Sequence, residues 1–146
     1  MVHALSEIRR VLKPGGTLID IRPDRFSHPR QQRPTLPAVY RQTSRGSVSA
    51  GTLGKTAQNL RRHRAAARAL HEMIRRGVFV LEATETFPFR FYFREPATLD
   101  AFLNVTWRST ILPGRVRSRL IASHDRAPRG GIVVVESVRL NVLRKP

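Results

Sequence analysis

The first 21 residues contain a helix pattern, a sharp turn and a strand pattern in immediate succession. Ala4, Leu5, Ile8, Val11 and Leu12 recur at the three-to-four-residue spacing of one apolar helix face, which predicts a helix over residues 2–12. The Lys-Pro-Gly-Gly sequence at 13–16 ends it, since proline disfavours helix at the preceding residue and glycine accepts left-handed backbone angles. Thr17 to Ile21 is then predicted to form a strand.

The remainder of the chain alternates between helix and strand patterns. Residues 22–54, rich in proline and arginine, are predicted to form a loop or lid, with Val39-Tyr40 and Val48 contributing a short edge hairpin. Helices are predicted over 56–76, 96–107 and 115–123. Strands are predicted at Val78–Leu81, over the alternating aromatic segment 87–93 with a bend or an edge position at Pro88, and at Ile132–Leu143.

Composition excludes several classes of protein. The chain has 146 residues, 40% of them hydrophobic, which is enough to bury the core of a single domain. It has no cysteine, which excludes disulfide scaffolds and thiolate metal sites. No apolar run approaches the roughly 18–20 residues of a membrane helix, and no signal-peptide pattern opens the chain. We therefore expect a cytoplasmic protein with no membrane partner.

The charge is strongly positive and unevenly distributed. The net charge is +17, from 24 arginines and 3 lysines against 10 acidic residues, and residues 22–76 alone carry +11. Such an excess is typical of nucleic-acid binders, although it is equally consistent with a solvated basic face. The basic segment lacks the interleaved aromatic residues of a stacking platform for single strands.

Three short motifs suggest chemistry, and each has a plainer interpretation. Residues 49–56 are one residue from a phosphate-binding loop, but Ser49 replaces its first glycine and no buried strand precedes it, which favours a surface turn. Ser123-His124-Asp125 contains the residue types of a catalytic triad, but adjacent side chains diverge, so a polar loop is favoured. His63 and His71 lack the further ligands that a metal site needs.

Residues 4–21 resemble the corresponding segment of class I S-adenosylmethionine-dependent methyltransferases. In that family an amphipathic helix and a Leu-Lys-Pro-Gly-Gly turn lead into the fifth strand of the sheet. The resemblance implies a partial Rossmann-like α/β fold over residues 1–146. Its small mixed sheet would contain Thr17–Ile21 as the fifth strand, Val78 onward as the sixth, and Ile132–Leu143 as the antiparallel seventh between them, with flanking helices. The helix 56–76 corresponds to the crossover after the fifth strand.

The resemblance covers the C-terminal half of the family fold. The glycine-rich turn and the acidic residue that bind S-adenosylmethionine in the family precede the Lys-Pro-Gly-Gly turn, and this sequence has no counterpart of them. We therefore expect a methyltransferase-like portion that binds no cofactor and is inactive by itself. The alternative is a basic nucleic-acid-binding module on the same scaffold, which uses residues 22–76.

Two residues and one strand are candidates for function. Arg22 and Asp24 directly follow the first strand, where open α/β sheets bind ligands, so they are candidates for the substrate mouth, with a plain surface ion pair as the alternative. No catalytic, cofactor-binding or metal-ligating residue is identified. Without its neighbouring strand, Thr17–Ile21 would expose an unpaired edge, which predicts self-association or binding of the missing N-terminal half.

Overall fold

The structure, a computed structural model, describes residues 2–28, 30–126 and 130–146. The protein is mixed α/β, with helices flanking a mostly antiparallel sheet. In chain order its elements are α1 (Val2–Val11), β1 (Thr17–Pro23), β2 (Ala38–Thr43), β3 (Gly46–Thr52), β4 (Gly54–Lys55), α2 (Ala57–Arg75), β5 (Val80–Phe93), α3 (Pro96–Val105), β6 (Thr110–Ile111), α4 (Gly114–Arg126) and β7 (Ile132–Arg144).

The helix–turn–strand unit predicted at the start of the chain is confirmed. Gly15 turns the chain with a φ of 74°, in the left-handed region that glycine tolerates best. At Gly16, a Cβ atom would lie 2.8 Å from the carbonyl oxygen of Lys13, so a side chain there would force the turn apart. Backbone hydrogen bonds of 2.9 Å join Gly15 and Gly16 to Lys145. The turn is therefore fixed at the end of β7 as well as by its own glycines.

The chain divides into two compact units. The first unit comprises residues 1–35, 60–87 and 137–146, and the second comprises 36–59 and 88–136. The long strands β5 and β7 each have residues in both units. Residues 80–87 and 137–144 belong to the first unit, and residues 88–93 and 132–136 belong to the second. Whether the chain acts as the single domain expected from its length stays a prediction.

In the first unit, β7 lies between β1 and β5. It pairs with β1 in antiparallel register, with Asp20 opposite Asn141, and it also pairs with β5. The Asn141 side chain connects both neighbours: its Nδ2 donates to Asp20 Oδ2 at 2.7 Å, and its Oδ1 accepts from Thr84 Oγ1 at 2.9 Å. The predicted position of 132–143 between the other two strands is therefore confirmed.

The helices of the first unit contribute to one hydrophobic cluster with the sheet. Its buried members are Leu5 of α1, Ala69, Leu70 and Met73 of α2, Phe79 and Leu143, and Leu18 of β1 packs against them. The alternate residues of β1 point the other way. Ile19 and Ile21 remain 59% and 61% exposed, opposite Val142 and Leu140 in the register. This second face, formed by Ile19, Ile21, Leu140 and Val142, is called the bare face below.

The second unit is built on the hairpin β2–β3 and the first half of β7. Residues 38–41 of β2 pair antiparallel with 132–135 of β7, and β2 pairs with β3 through a turn at 44–45. The apolar side chains of these strands pack with α3 and α4 around Val39, Leu99, Leu120 and Val134, all at most 1% exposed. A cluster of aromatic rings, Phe91, Phe93, Phe102 and Trp107, packs against this core.

Three sequence predictions need correction. The segment 22–54 is a loop only between β1 and β2, because residues 38–43 and 46–52 form the hairpin, which is much longer than predicted. The sheet is predicted to be mixed, but each strand pair whose register is described is antiparallel. The strands β1 and β5 lie on either side of β7 and pair with it. The two strands predicted on either side of residue 84 are the single strand β5, which continues through Pro88.

Candidate functional site

The two predicted site residues lie where β1 ends, but they do not pair with each other. Arg22 extends its guanidinium to Asp20, two positions earlier on the same face, with 3.2 Å between Nε and Oδ2. Asp24 is 6% exposed, and its backbone N–H donates to the carbonyl of Ser137 at 2.7 Å. The Arg–Asp surface pair considered as the alternative is therefore wrong, since each residue has another partner.

Asp24 forms the buried centre of a polar cluster. Arg139 donates from Nε to Oδ1 at 3.0 Å and from an NH2 group to Oδ2 at 3.4 Å, which makes a two-point contact between guanidinium and carboxylate. The Ser27 hydroxyl donates to Oδ2 at 2.9 Å. These bonds compensate the desolvation of a carboxylate that would otherwise be costly to bury.

A small cavity opens beside this cluster in the first unit. Arg22, Arg139 and Asn141 form its polar side, His28 and His71 line it with their imidazoles, and Phe26, Leu70, Ile74 and Leu81 form its apolar side. The two imidazole rings are 5.9 Å apart between centroids and meet edge to face. The volume is about 110 Å³.

The size and lining of this cavity limit what it can bind. Ligand pockets for whole small molecules usually measure roughly 300–1,000 Å³, so this one is suited to a single small polar or anionic group. The guanidinium groups of Arg22 and Arg139 are suited to hold such a group. Asp24 does not line the cavity; it positions Arg139, which does.

The loop after β1 is held against the first unit by arginine contacts. Arg25, 1% exposed, donates from NH1 to the carbonyl of Thr35 at 3.0 Å, and the Thr35 N–H donates to the Arg25 carbonyl at 2.9 Å. The Arg64 guanidinium lies 4.7 Å from the ring centre of Phe26 and donates to the carbonyl of Gln32 at 2.9 Å. Residues 26–28 of this loop therefore form one wall of the cavity.

The near-match to a phosphate-binding loop is part of two strands in the second unit. Lys55 donates to the Thr110 hydroxyl and lies 4.4 Å from the ring centre of Trp107. Its ammonium group thus serves the pairing of β4 with β6. The interpretation as an ordinary structural segment is favoured, although strands replace the predicted turn.

The other two motifs give no site either. Ser123 lies on α4, where its hydroxyl donates to the carbonyl of Arg119 at 2.7 Å, so the predicted polar loop is wrong at that position. The side chains of His124 and Asp125 lie outside the described residues. Across the part of the chain that the structure describes, no group of three or more His, Cys, Asp or Glu side chains could hold a metal ion.

Burial perturbs one arginine of the second unit. Arg41, on β2, is 2% exposed, and desolvation by burial lowers the pKa of its guanidinium below its ordinary range. Buried arginines are uncommon and are normally paired. Arg41 lines a separate cavity of about 290 Å³ with Arg119 and Ser123.

Sequence reasoning missed Arg139, Asn141, His28 and His71 as residues of the cavity. Arg139 and Asn141 carry a local signal: they are polar residues at alternate positions of an otherwise apolar strand, which indicates a polar partner on a neighbouring element. His28 and His71 carry none, because they lie 43 positions apart in the sequence and only the fold brings them together.

Comparison with known proteins adds no relative: no family model, no curated protein and no solved structure matches this chain. Within the described residues, no helix has both the length and the apolar character needed to cross a bilayer. The methyltransferase resemblance and the roles of Arg22 and Asp24 therefore stay predictions.

Proposed function

We propose that this chain is the C-terminal portion of an S-adenosylmethionine-dependent methyltransferase-like fold and needs further strands for activity. The observation that carries the proposal is the place of β7, antiparallel to β1 and between β1 and β5. The resemblance of residues 4–21 implies that arrangement for the fifth, sixth and seventh strands. Helix α2 follows as the crossover from β1 toward β5.

The bare face and the edge of β1 support a missing neighbour. In the described strand pairings, one edge of β1 pairs with β7. The opposite edge of β1 therefore offers unpaired N–H and C=O groups. Ile19 and Ile21 expose β-branched side chains next to that edge. Further strands and a helix of an α/β fold would cover both features.

A missing half fits this surface better than a second copy does. With a net charge of +17, two copies of this chain repel each other. We expect the completing strands to bind the methyl donor. The cavity beside Arg22 would then receive the polar end of the methyl acceptor, and Asp24 would keep Arg139 in position.

The test is to produce the chain alone and together with the polypeptide encoded directly upstream of it. Titration calorimetry is expected to show no S-adenosylmethionine binding by the chain alone and micromolar binding by the complex. Ile21→Lys should prevent the complex by placing a charge on the bare face. Val11→Lys, which adds the same charge at a 67% exposed residue of α1, is the matched control.

Three results would contradict the proposal. One is micromolar cofactor binding by the chain alone. Another is an upstream sequence that encodes no strand followed by a Gly-x-Gly turn. The third is a stable homodimer, measured by light scattering, that Ile21→Lys dissociates, since the second copy would then be the natural partner of this surface.

The alternative of a basic nucleic-acid-binding module keeps some support from α2. Arg61, Arg62 and Arg68 are exposed on this helix, and none of them takes part in a described ion pair. Arg75 and Arg76 are both paired with Glu72. Binding through α2 would depend on charge alone, so its affinity should fall steeply with salt.

A further inference from the structure

One face of the second unit combines the exposed ring of Tyr92 and the half-buried ring of Tyr40 with an exposed arginine. The residues that alternate with the core positions of β2 and β7 line an open cavity of about 300 Å³ together with residues of β3 and β5: Tyr40, Gln42, Ser47, Arg90, Tyr92, Val133 and Val135. Tyr40 lies opposite Val133 in the register, so the floor of the cavity is the sheet itself. This surface is called the tyrosine face below.

The ring of Tyr92 is not needed by the core, and that of Tyr40 is half-buried. Tyr92 is 70% exposed, which is the largest exposure among the large apolar and aromatic side chains that the structure describes. The ring-to-ring contacts described in the second unit involve Phe89, Phe91, Phe93, Phe102 and Trp107, but neither tyrosine. An exposed ring on a sheet gains little from folding, whereas it can stack on a planar ligand.

The charges around the tyrosine face select an anionic ligand. No carboxylate is among the residues that line the cavity, and Arg90 is exposed within it. Two further exposed arginines lie close to the lining residues in the chain. Arg45, in the hairpin turn, is two positions before Ser47, and Arg94, directly after β5, is two positions after Tyr92. Gln42 accepts a hydrogen bond from the Ser47 hydroxyl at 3.1 Å, which leaves its Nε2 group to donate to a ligand.

We infer that the tyrosine face binds single-stranded nucleic acid. Sheet surfaces that carry aromatic rings and arginines hold single strands by stacking bases on the rings and by neutralising the phosphates. Here one base stacks on Tyr92, the adjacent base reaches Tyr40, and Arg90 pairs with the phosphate between them. A duplex does not fit this chemistry, because its bases are already stacked inside the helix. The inference is independent of the methyltransferase proposal.

The test is fluorescence anisotropy with labelled oligouridine and oligodeoxythymidine of about twelve nucleotides, within the site sizes usual for such surfaces. Tyr92→Ala is expected to weaken binding about tenfold, and Tyr92→Phe to retain it, because stacking needs the ring and not the hydroxyl. Arg90→Gln should weaken binding and lower the salt slope by about one. Circular dichroism of each variant checks that the fold is retained.

Matched controls separate this surface from general charge attraction. Arg115→Gln removes the same charge from an exposed position of α4 and should change affinity by less than about twofold. Equal losses for Arg90→Gln and Arg115→Gln with no effect of Tyr92→Ala would overturn the inference. Loss of binding only on combined Arg61→Gln and Arg62→Gln substitution would also overturn it, because the site would then be α2.

Comparison of the two single-stranded oligonucleotides with a duplex completes the test. Binding of either oligonucleotide that depends on the Tyr92 ring supports the inference, and a preference between them shows that the 2′-hydroxyl or the thymine methyl group contributes. Tighter binding of a duplex of the same length, or no binding of either single strand at low salt, would overturn it.

Discussion

Replacement of Asp24 by asparagine tests whether the buried polar cluster stabilises the first unit. The Asp24 side chain is 7% exposed and that of Arg139 is 20% exposed, so water screens their contact poorly. Removing one partner of a buried ion pair typically costs 3–5 kcal/mol, because the other charge is left uncompensated. Asparagine keeps one acceptor oxygen, and water reaches Arg139 in part. We therefore expect a loss of about 2–3 kcal/mol.

The assay is urea unfolding followed by far-ultraviolet circular dichroism, which sums over the helices of both units and so includes α1 and α2 of the first. With a urea dependence of about 2 kcal/mol per molar, the midpoint should fall by about 1–1.5 M. Arg10→Gln is the control, since it breaks the exposed Glu7–Arg10 pair, whose side chains are 50% and 70% exposed, and should cost less than about 0.5 kcal/mol.

A double-mutant cycle tests whether Asp24 and Arg139 stabilise the first unit as a coupled pair. If the pair acts as described, Asp24→Asn combined with Arg139→Gln should be more stable than the sum of the single losses by about 1–2 kcal/mol, because neither charge is then left alone. Additive losses would refute the coupling. A loss below about 1 kcal/mol for Asp24→Asn would refute the burial argument itself.

Three further predictions concern other parts of the chain. Leu120→Ala should cost about 2–5 kcal/mol in unfolding followed by Trp107 fluorescence, and Ile121→Ala, at a 46% exposed neighbour, less than about 1 kcal/mol. Gly51→Ala should destabilise the second unit by about 1–3 kcal/mol in the same assay, because its φ is 132° and its Cβ would lie 2.9 Å from a methyl of the core. Hydrogen bonds from two arginines lower the pKa of Glu72 from 4.5 to about 2. The stabilising effect of the Glu72 carboxylate is therefore complete above pH 4.5 and is lost as the pH falls toward 2. Glu72→Gln should remove the part of the acid unfolding, followed by circular dichroism, that this loss causes.

Local patterns predicted the elements whose signals lie within a few neighbouring residues. The first helix, the glycine turn and β1 follow from apolar spacing and from glycine and proline alone. The run Ile132–Val135 is predicted to be buried on both faces from its continuous apolar character; Ile132, Val133 and Val134 are buried, and Val135 is half-buried. In both cases the local preference and the final packing agree, so tertiary contacts had nothing to override.

The sequence predicts a short hairpin at Val39-Tyr40 and Val48, but its full length and the polar cluster depend on distant residues and could not be predicted in the same way. The strand β3 is mostly exposed, and its sequence of serines and glycines has no apolar alternation that would predict a strand. The local signal for the turn is Gly46, which has a φ of 117°. Asp24 and Arg139 are 115 positions apart. A sequence shows that each is charged, but only the register of β1 against β7 shows that they meet.

The tyrosine face shows why charge distribution along the sequence was a poor guide to a binding surface. The sequence is most basic over residues 22–76, which contain just two of the Phe, Tyr and Trp residues, Phe26 and Tyr40, too few to predict a stacking platform. Tyr40 lies within that segment, whereas Arg90 and Tyr92 come from β5, and pairing on either side of β7 makes them neighbours. Because the tyrosine face belongs to the second unit and the bare face to the first, Tyr92→Ala should weaken nucleic-acid binding and spare the complex. Ile21→Lys should prevent the complex and spare nucleic-acid binding. A single substitution that removed both would show that the two proposals describe one site.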